Sequence, residues 1–427
     1  MRFLAASPLV AGAAKYAFGQ DQPATAGDVL EVMDLEPLAR EAMWDAHWGY
    51  LATGVSSDLT LHTNIEAFRH YQLRARRLVN AATADTSVEV FGEKWDSPIY
   101  LSAVGAQGAF HPEGELAVAQ AAKAKNAVQM LSNMTTFSIE DVTQALGTAP
   151  WFQLYIPKSW DETERMIRRV EATGCTMMAW TIDLLAGRNT VTGNRLIKYD
   201  QTDCLACHSS RPGDPATRTE AVQSKPMYRG MSGQTNPPEA DWSYVERLKK
   251  MTSMKLIIKG IDTPEDALLA RENGADGVVV SNHGGRALET GRATIDILPE
   301  VVDAVPRDFP VFMDGGVRRG GDVYKALALG ARGVGIGRGY IWGLAAFGQA
   351  GVERVLDILN AELTLTMRQA GTPTIAQITR ASVLKNRRGC RLRIRAYPRR
   401  RRIRCSPTRI LPAPQKTGGQ IWLTADC

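Results

Sequence analysis

Eight short apolar runs recur along this chain, at residues 99–103, 127–131, 151–155, 177–182, 255–259, 277–281, 310–313 and 333–337. Between most of them lies about one helix's worth of amphipathic sequence, as at 113–124, 160–173, 264–273 and 322–329. Continuous apolar runs of this length suit strands buried on both faces, which occur in parallel sheets covered by helices. Eight strand–helix units predict an α/β fold, a parallel sheet closed into a TIM (β/α)8 barrel, with an open doubly wound sheet of fewer strands as the alternative. Ahead of the barrel, residues 29–80 read as amphipathic helix, with Leu35, Leu38, Met43 and Trp44 at helical spacing.

With 427 residues and 44% hydrophobic composition, the chain can bury a core of this size. No run of about 18 apolar residues occurs, so no transmembrane helix is expected. Six cysteines are too few for a disulfide scaffold. The net charge of +6 invites a nucleic-acid reading until it is located. Residues 384–427 hold 13 of the 51 basic residues and one of the 45 acidic ones, which leaves the body at −6. A basic surface on the folded domain is what nucleic acid requires, and composition offers none. No nucleic-acid partner is expected.

The body is therefore placed at 29–383, flanked by two different segments. Residues 1–26 have the order of a signal peptide: Arg2, an apolar stretch over 3–14, then Ala24-Thr25-Ala26. Arg-Phe-Leu also follows the first arginine of a twin-arginine signal, so the expected location is periplasmic, with a cytoplasmic one as the alternative. The segment from 384 onward lacks apolar periodicity. A basic arm is one reading. A disordered appendage or a departure from the ancestral reading frame is favoured over it. Inside the body, residues 194–242 are polar and rich in Gly, Pro and Ser, and are expected to form a lid over the barrel mouth.

Chemistry concentrates where strands end. The sixth run leads into Ser281-Asn282-His283-Gly284-Gly285-Arg286, which puts an acid/base group and a carboxylate-binding group at the catalytic face of a barrel. The seventh leads into Asp314-Gly315-Gly316-Val317-Arg318, and the eighth into Gly337-Arg338-Gly339. Glycines there free main-chain N–H groups for a phosphate, and the loops after strands 7 and 8 are where barrels usually bind one.

SNHGGRALE and DGGVRRGGDVYKALALGA resemble segments of the FMN-dependent α-hydroxy-acid oxidase and dehydrogenase family, which includes glycolate oxidase, lactate oxidase and mandelate dehydrogenase. The resemblance runs from about Leu35 to Ser382, apart from the long polar loop. It implies a TIM barrel with bound FMN that oxidises an (S)-2-hydroxy acid such as lactate or glycolate to the 2-oxo acid. By the same resemblance His283 is the general base, Asp183 its carboxylate partner, and Arg286 the clamp for the substrate carboxylate. Tyr155 and Tyr50 bind substrate, joined by Arg188. Ala103, Val104, Gly105, Ser132, Gln153, Thr181, Lys259 and Ser281 contact the flavin. Asp314, Gly315, Gly316, Val317, Arg318, Gly337 and Arg338 hold its ribityl chain and phosphate. A homotetramer is implied, with oxygen, a quinone or a cytochrome as electron acceptor. No metal site is expected in the barrel.

Three departures from the family pattern stand out. Ser102-Ala103 replaces an Ala-Pro pair. The arginine motif after the fourth run reads Gly187-Arg188-Asn189, which leaves Arg188 or Asn189 in the place of a second substrate arginine. Cys204-Leu205-Ala206-Cys207-His208 is a C-x-x-C-H motif of the c-type haem kind. A disulfide or a metal site in the loop is favoured for it. Covalent haem ranks last, because the loop is polar and only Met227 and Met231 are near as distal ligands. Two other functions fit parts of the pattern: a flavin barrel like the type 2 isopentenyl-diphosphate isomerases, or a silent barrel with a basic binding tail. The His283–Arg286 pair favours hydroxy-acid oxidation over both.

Overall fold

The computed structural model of the chain describes residues 23–199, 222–233 and 235–386. All eight apolar runs are strands: β1 Ile99–Leu101, β2 Val128–Ser132, β3 Trp151–Leu154, β4 Met177–Thr181, β5 Lys255–Ile261, β6 Gly277–Val280, β7 Val311–Asp314 and β8 Gly333–Ile336. They pair in parallel in chain order, and β8 closes on β1 through Val334 opposite Ile99. The helices that follow them are α1 Gly114–Ala124, α2 Ile139–Leu146, α3 Trp160–Glu171, α4 Ser243–Met251, α5 Pro264–Glu272, α6 Thr294–Ala304, α7 Gly320–Ala328 and α8 Arg338–Ala370. Gly348, at φ +59°, breaks α8 into two helical pieces.

Alternation along each strand sorts the side chains. Outward residues such as Leu101, Leu131, Leu154, Ile258 and Val280 pack under the helices. Inward ones, Tyr100, Met130, Trp151, Ala179, Ile257, Val279 and Phe312, form a separate core within the barrel. A hairpin of Val88–Val90 and Glu93–Trp95 supplies Trp95 to that core, with its ring 4.8 Å from Trp151. Its turn uses Phe91 and Gly92, both at positive φ, as tight hairpin turns require.

The N-terminal region is three helices rather than one, Leu35–Ala42, Asp45–Ala52 and Leu59–Glu66. The first packs on α8. The other two lie across the C-terminal rim of the barrel, where Gly54 and Val55 meet Gly285 main chain to main chain.

Two boundaries need correction. The polar segment 194–242 is not simply a lid. A helix, Val191–Tyr199, runs into it, and Met227, Tyr228 and Asn236 are buried against the barrel. Nor does the folded body end at 383, because Val383–Lys385 is a strand antiparallel to Tyr71–Leu73. Leu384 and Lys385, grouped with the basic tail by composition, belong to the fold. The apolar part of the N-terminal segment, the C-x-x-C-H motif (Cys204, Cys207, His208) and the remaining tail lie outside the described residues. Among the described residues no helix is long and apolar enough to cross a membrane.

Candidate active site

Just above the apolar barrel core, the next inward position on every strand but β8 is polar. These are Ser102, Ser132, Gln153, Thr181, Lys259, Ser281 and Asp314, all buried. On one side of this rim Asp314 is the hub. Its carboxylate pairs with Lys259 Nζ at 3.1 Å and accepts from Ser281 Oγ at 2.6 Å and Ser102 Oγ at 3.3 Å. Lys259 also donates to Ser281 Oγ at 2.8 Å. On the other side Ser132 donates to Gln153 Oε1 at 2.7 Å, which leaves Gln153 Nε2 and Thr181 Oγ1 buried without a partner among the described residues.

His283 follows β6 in left-handed conformation, φ +58°, with two positive-φ glycines after it. Glycine is required at 285, where a β-carbon would lie 2.5 Å from Leu61 N. This turn brings His283 Nδ1 to 2.9 Å from Asp183 Oδ1 and Nε2 to 3.4 Å from the Tyr155 hydroxyl. Burial pulls the imidazole pKa below its ordinary value, against the opposing pull of Asp183. Burial pushes Asp183 up, but its electrostatic coupling and hydrogen bond to His283, with the Lys259 charge, outweigh it and leave its carboxyl below the ordinary value. These directions favour a neutral imidazole beside a carboxylate, in which Nδ1–H donates to Asp183 and Nε2 is the acceptor facing the Tyr155 hydroxyl.

Arg286 donates to Thr53 O at 2.7 Å and stacks over the Tyr50 ring at 4.8 Å, so Tyr50 and Arg286 do come together. Burial, and next the charge of Arg188, push the Arg286 pKa down to about 10. The Arg188 charge also acts on Tyr155 and His283. The main-chain carbonyl of Asn189 accepts from Ser56 N at 2.8 Å, and the exposed Arg188 is the neighbour whose charge reaches the site. Tyr155 is steadied from behind, since its carbonyl accepts from Tyr228 Oη at 3.0 Å and Asn133 Nδ2 at 2.8 Å.

Comparison with known proteins settles the family. A model of the FMN-dependent dehydrogenases matches residues 39–385. The chain belongs to this family. It is 37% identical over 359 residues to a peroxisomal (S)-2-hydroxyacid oxidase of Arabidopsis thaliana, covering 83% of this chain and 96% of the relative. It is 36% identical over 357 residues to the L-lactate oxidase of Lysinibacillus sphaericus, covering 83% and 92% respectively. The solved flavin-binding domain of baker's yeast flavocytochrome b2 superposes with a TM-score of 0.74 at 30% identity, covering 85% of this chain and 88% of the domain.

The residues fit the flavin that the FMN-dependent dehydrogenases carry. Gln153 Nε2 and Thr181 Oγ1 are a donor and a hydroxyl in need of partners, which the polar edge of a flavin ring offers. Ala103, Val104 and Gly105 form the half-buried loop after β1, where a β-carbon on Gly105 would stand 3.6 Å from Ser132 Oγ. At the phosphate end Gly315 and Gly316 have φ of +106° and +79° and lead toward the start of α7. Gly337 precedes α8 with nothing within 4 Å of where a β-carbon would stand. Arg318 stacks over Trp342 and keeps a buried Nε without a partner among the described residues. Arg338 is different: it donates to the carbonyls of Leu51, Gly284 and Thr53, tying the N-terminal helices to the His283 loop.

Several working residues escaped the sequence reading. Ser102, visible in the sequence only as a departure from the family pattern, shares the hub of the rim. Glu115, fully buried and with its pKa raised by burial, accepts from Gln107 N and Thr136 N at 3.0 Å and so joins the loops after β1 and β2. An acidic residue three positions after Pro112, in the first turn of a helix, was the only signal. Met227, named as a possible haem ligand, is fully buried in the core, and Met231 packs partly buried against it.

The pKa directions give the first prediction. An NMR titration should place His283 below 6.5, the ordinary value, and Asp183→Asn should lower it further by removing the carboxylate that favours imidazolium. A rise in the variant would contradict the arrangement.

Proposed function

We propose that this protein oxidises a small (S)-2-hydroxy acid, lactate- or glycolate-like, to the 2-oxo acid. The observation that carries the reading is the base with its partners: His283 between Asp183 and Tyr155, beside the Arg286 guanidinium. Bound FMN supplies a two-electron acceptor. The chain supplies the rest. Arg286 forms a paired, two-pronged contact with the substrate carboxylate, with Arg188 and Tyr50 closing on the same group. The Tyr155 hydroxyl, near Nε2, hydrogen-bonds the substrate. His283 Nε2 takes the substrate proton, and Asp183 holds the Nδ1 tautomer and stabilises the imidazolium. Lys259, a buried cation on the rim, offsets negative charge that builds up over it.

Ser132, Gln153, Thr181 and Ser281 would hold the ring, and Asp314 to Arg318 with Gly337 the ribityl phosphate. Arg338 would support that end while fixing the N-terminal helices. Oxygen is the acceptor favoured here, because the curated relatives compared above are oxidases by name. Export by the N-terminal segment and assembly as a homotetramer belong to the same proposal, carried by the sequence pattern and the family likeness respectively. The isomerase and silent-barrel readings lack support from the assembled His283, Asp183, Tyr155 and Arg286.

Replacing His283→Gln should leave FMN bound and slow anaerobic flavin reduction by roughly 100- to 10,000-fold, the usual range for a lost general base. Undiminished reduction in stopped flow would remove His283 as the base. Arg286→Lys should raise KM strongly, since a point charge cannot reproduce the planar fork. An unchanged KM would place the substrate carboxylate elsewhere.

A further inference from the structure

The helix Leu59–Glu66 is wedged between two loops that the proposed reaction uses for different tasks. Its inward residue, Asn64, is 1% exposed and touches both. Toward the loop after β6, Asn64 and Asn282 exchange amide hydrogen bonds. Asn64 Nδ2 donates to Asn282 Oδ1 at 2.8 Å, and Asn282 Nδ2 donates to Asn64 Oδ1 at 2.9 Å. Asn282 Oδ1 also accepts from Gly285 N at 3.0 Å, and Asn282 Nδ2 donates to Arg292 O at 3.1 Å. The amide pair therefore braces the turn that holds His283 in left-handed conformation.

Toward the loop after β7 the same residue acts through its backbone and through α6. Asn64 Oδ1 accepts from Thr294 N at 3.1 Å, and Thr294 Oγ1 donates to Gly315 O at 3.3 Å. A β-carbon on Gly316 would stand 2.1 Å from Asn64 O, so that glycine and Asn64 fit only one way. Every polar atom of the Asn64 amide is used. A buried amide pair bonded through both its nitrogen and its oxygen atoms specifies one arrangement, because a shift leaves a donor or acceptor unmet.

We propose that Asn64 is a positioning residue that couples the phosphate-binding loop to the His283 turn, so that FMN binding and alignment of the base depend on one another. The proposal rests on the function proposed above. It assigns the N-terminal helix a part in the chemistry although no atom of Asn64 needs to touch substrate or cofactor. Coupling of this kind is reciprocal: what loosens one loop weakens the function of the other. Asn282 is the informative partner, because its side-chain bonds reach the β6 loop and Asn64 but not Gly315 or Gly316.

The test uses the full chain and three variants, Asn64→Ala, Asn282→Ala and the double variant. FMN affinity is read by titrating flavin-free protein with FMN and following the quenching of flavin fluorescence. Each single variant should weaken FMN binding about tenfold, the loss expected of one or two buried hydrogen bonds, and the double variant should weaken it little further. In the loaded enzymes kcat should fall with KM nearly unchanged. The acid limb of the pH profile should move to lower pH as the contact with Asp183 loosens.

Variants that lose only thermal stability, with FMN affinity and the pH limb as in the parent, would overturn the proposal. So would single effects on FMN affinity that add in full. Should the parent bind FMN yet oxidise no 2-hydroxy acid, the proposed function fails, while the FMN titrations still decide the coupling.

Discussion

Closure of a parallel barrel leaves side chains only two places to go, and everything at the candidate site depends on that constraint. Inward positions recur every second residue, so the layer above the aromatic core is fixed once the register is fixed. Here that layer is polar on seven of the eight strands and glycine on the last, where a β-carbon at Gly335 would collide with Ser102 Oγ at 2.1 Å. A floor of Trp95, Tyr100, Trp151 and Phe312 excludes water from below, which strengthens the charge interactions of Lys259 and Asp314 above it. A flat group with a polar edge and a charged tail is what such a rim can accept.

The catalytic groups then come from loops rather than strands, and their geometry is enforced by close main-chain contacts. Gly285 against Leu61 and Gly316 against Asn64 leave no room for a side chain. The N-terminal helices thus serve as the outer wall of the site. Burial sets the electrostatics within it. An imidazole held neutral can accept a proton, a carboxylate held charged steadies it afterwards, and Arg286 is anchored by one donor on Thr53 O while stacking on Tyr50. No carboxylate pairs with Arg286 among the described ion pairs, which suits a group meant to receive an anion.

Much of this was legible in the sequence, and for a physical reason. A strand buried on both faces must be a bounded apolar run, so all eight were visible, with small errors where chemistry intrudes on the pattern. β7 extends to Asp314, whose charge made it look like loop, and β5 reaches Ile261 past the positive-φ Gly260. The helix α7 begins at Gly320, since glycines read as loop although here they allow Leu363 to approach. The site motifs were legible because their residues lie close together in the chain. Long-range pairs leave no local period, so Asn64 with Asn282, Glu115 with its two loops, and Tyr228 behind Tyr155 were not. The strand Val383–Lys385 was hidden by the basic composition that begins beside it.

The proposed chemistry requires that a 2-hydroxy acid held at the polar rim reduce the flavin. The direct measurement is an anaerobic absorbance titration of the flavin-loaded protein with the separate (S)- and (R)-enantiomers of lactate, and with glycolate. Bleaching of the flavin bands by (S)-lactate or glycolate, with (R)-lactate inert and one 2-oxo acid formed per flavin reduced, is the predicted result. Flavin that remains oxidised with each acid, or is reduced equally by both enantiomers, would contradict it.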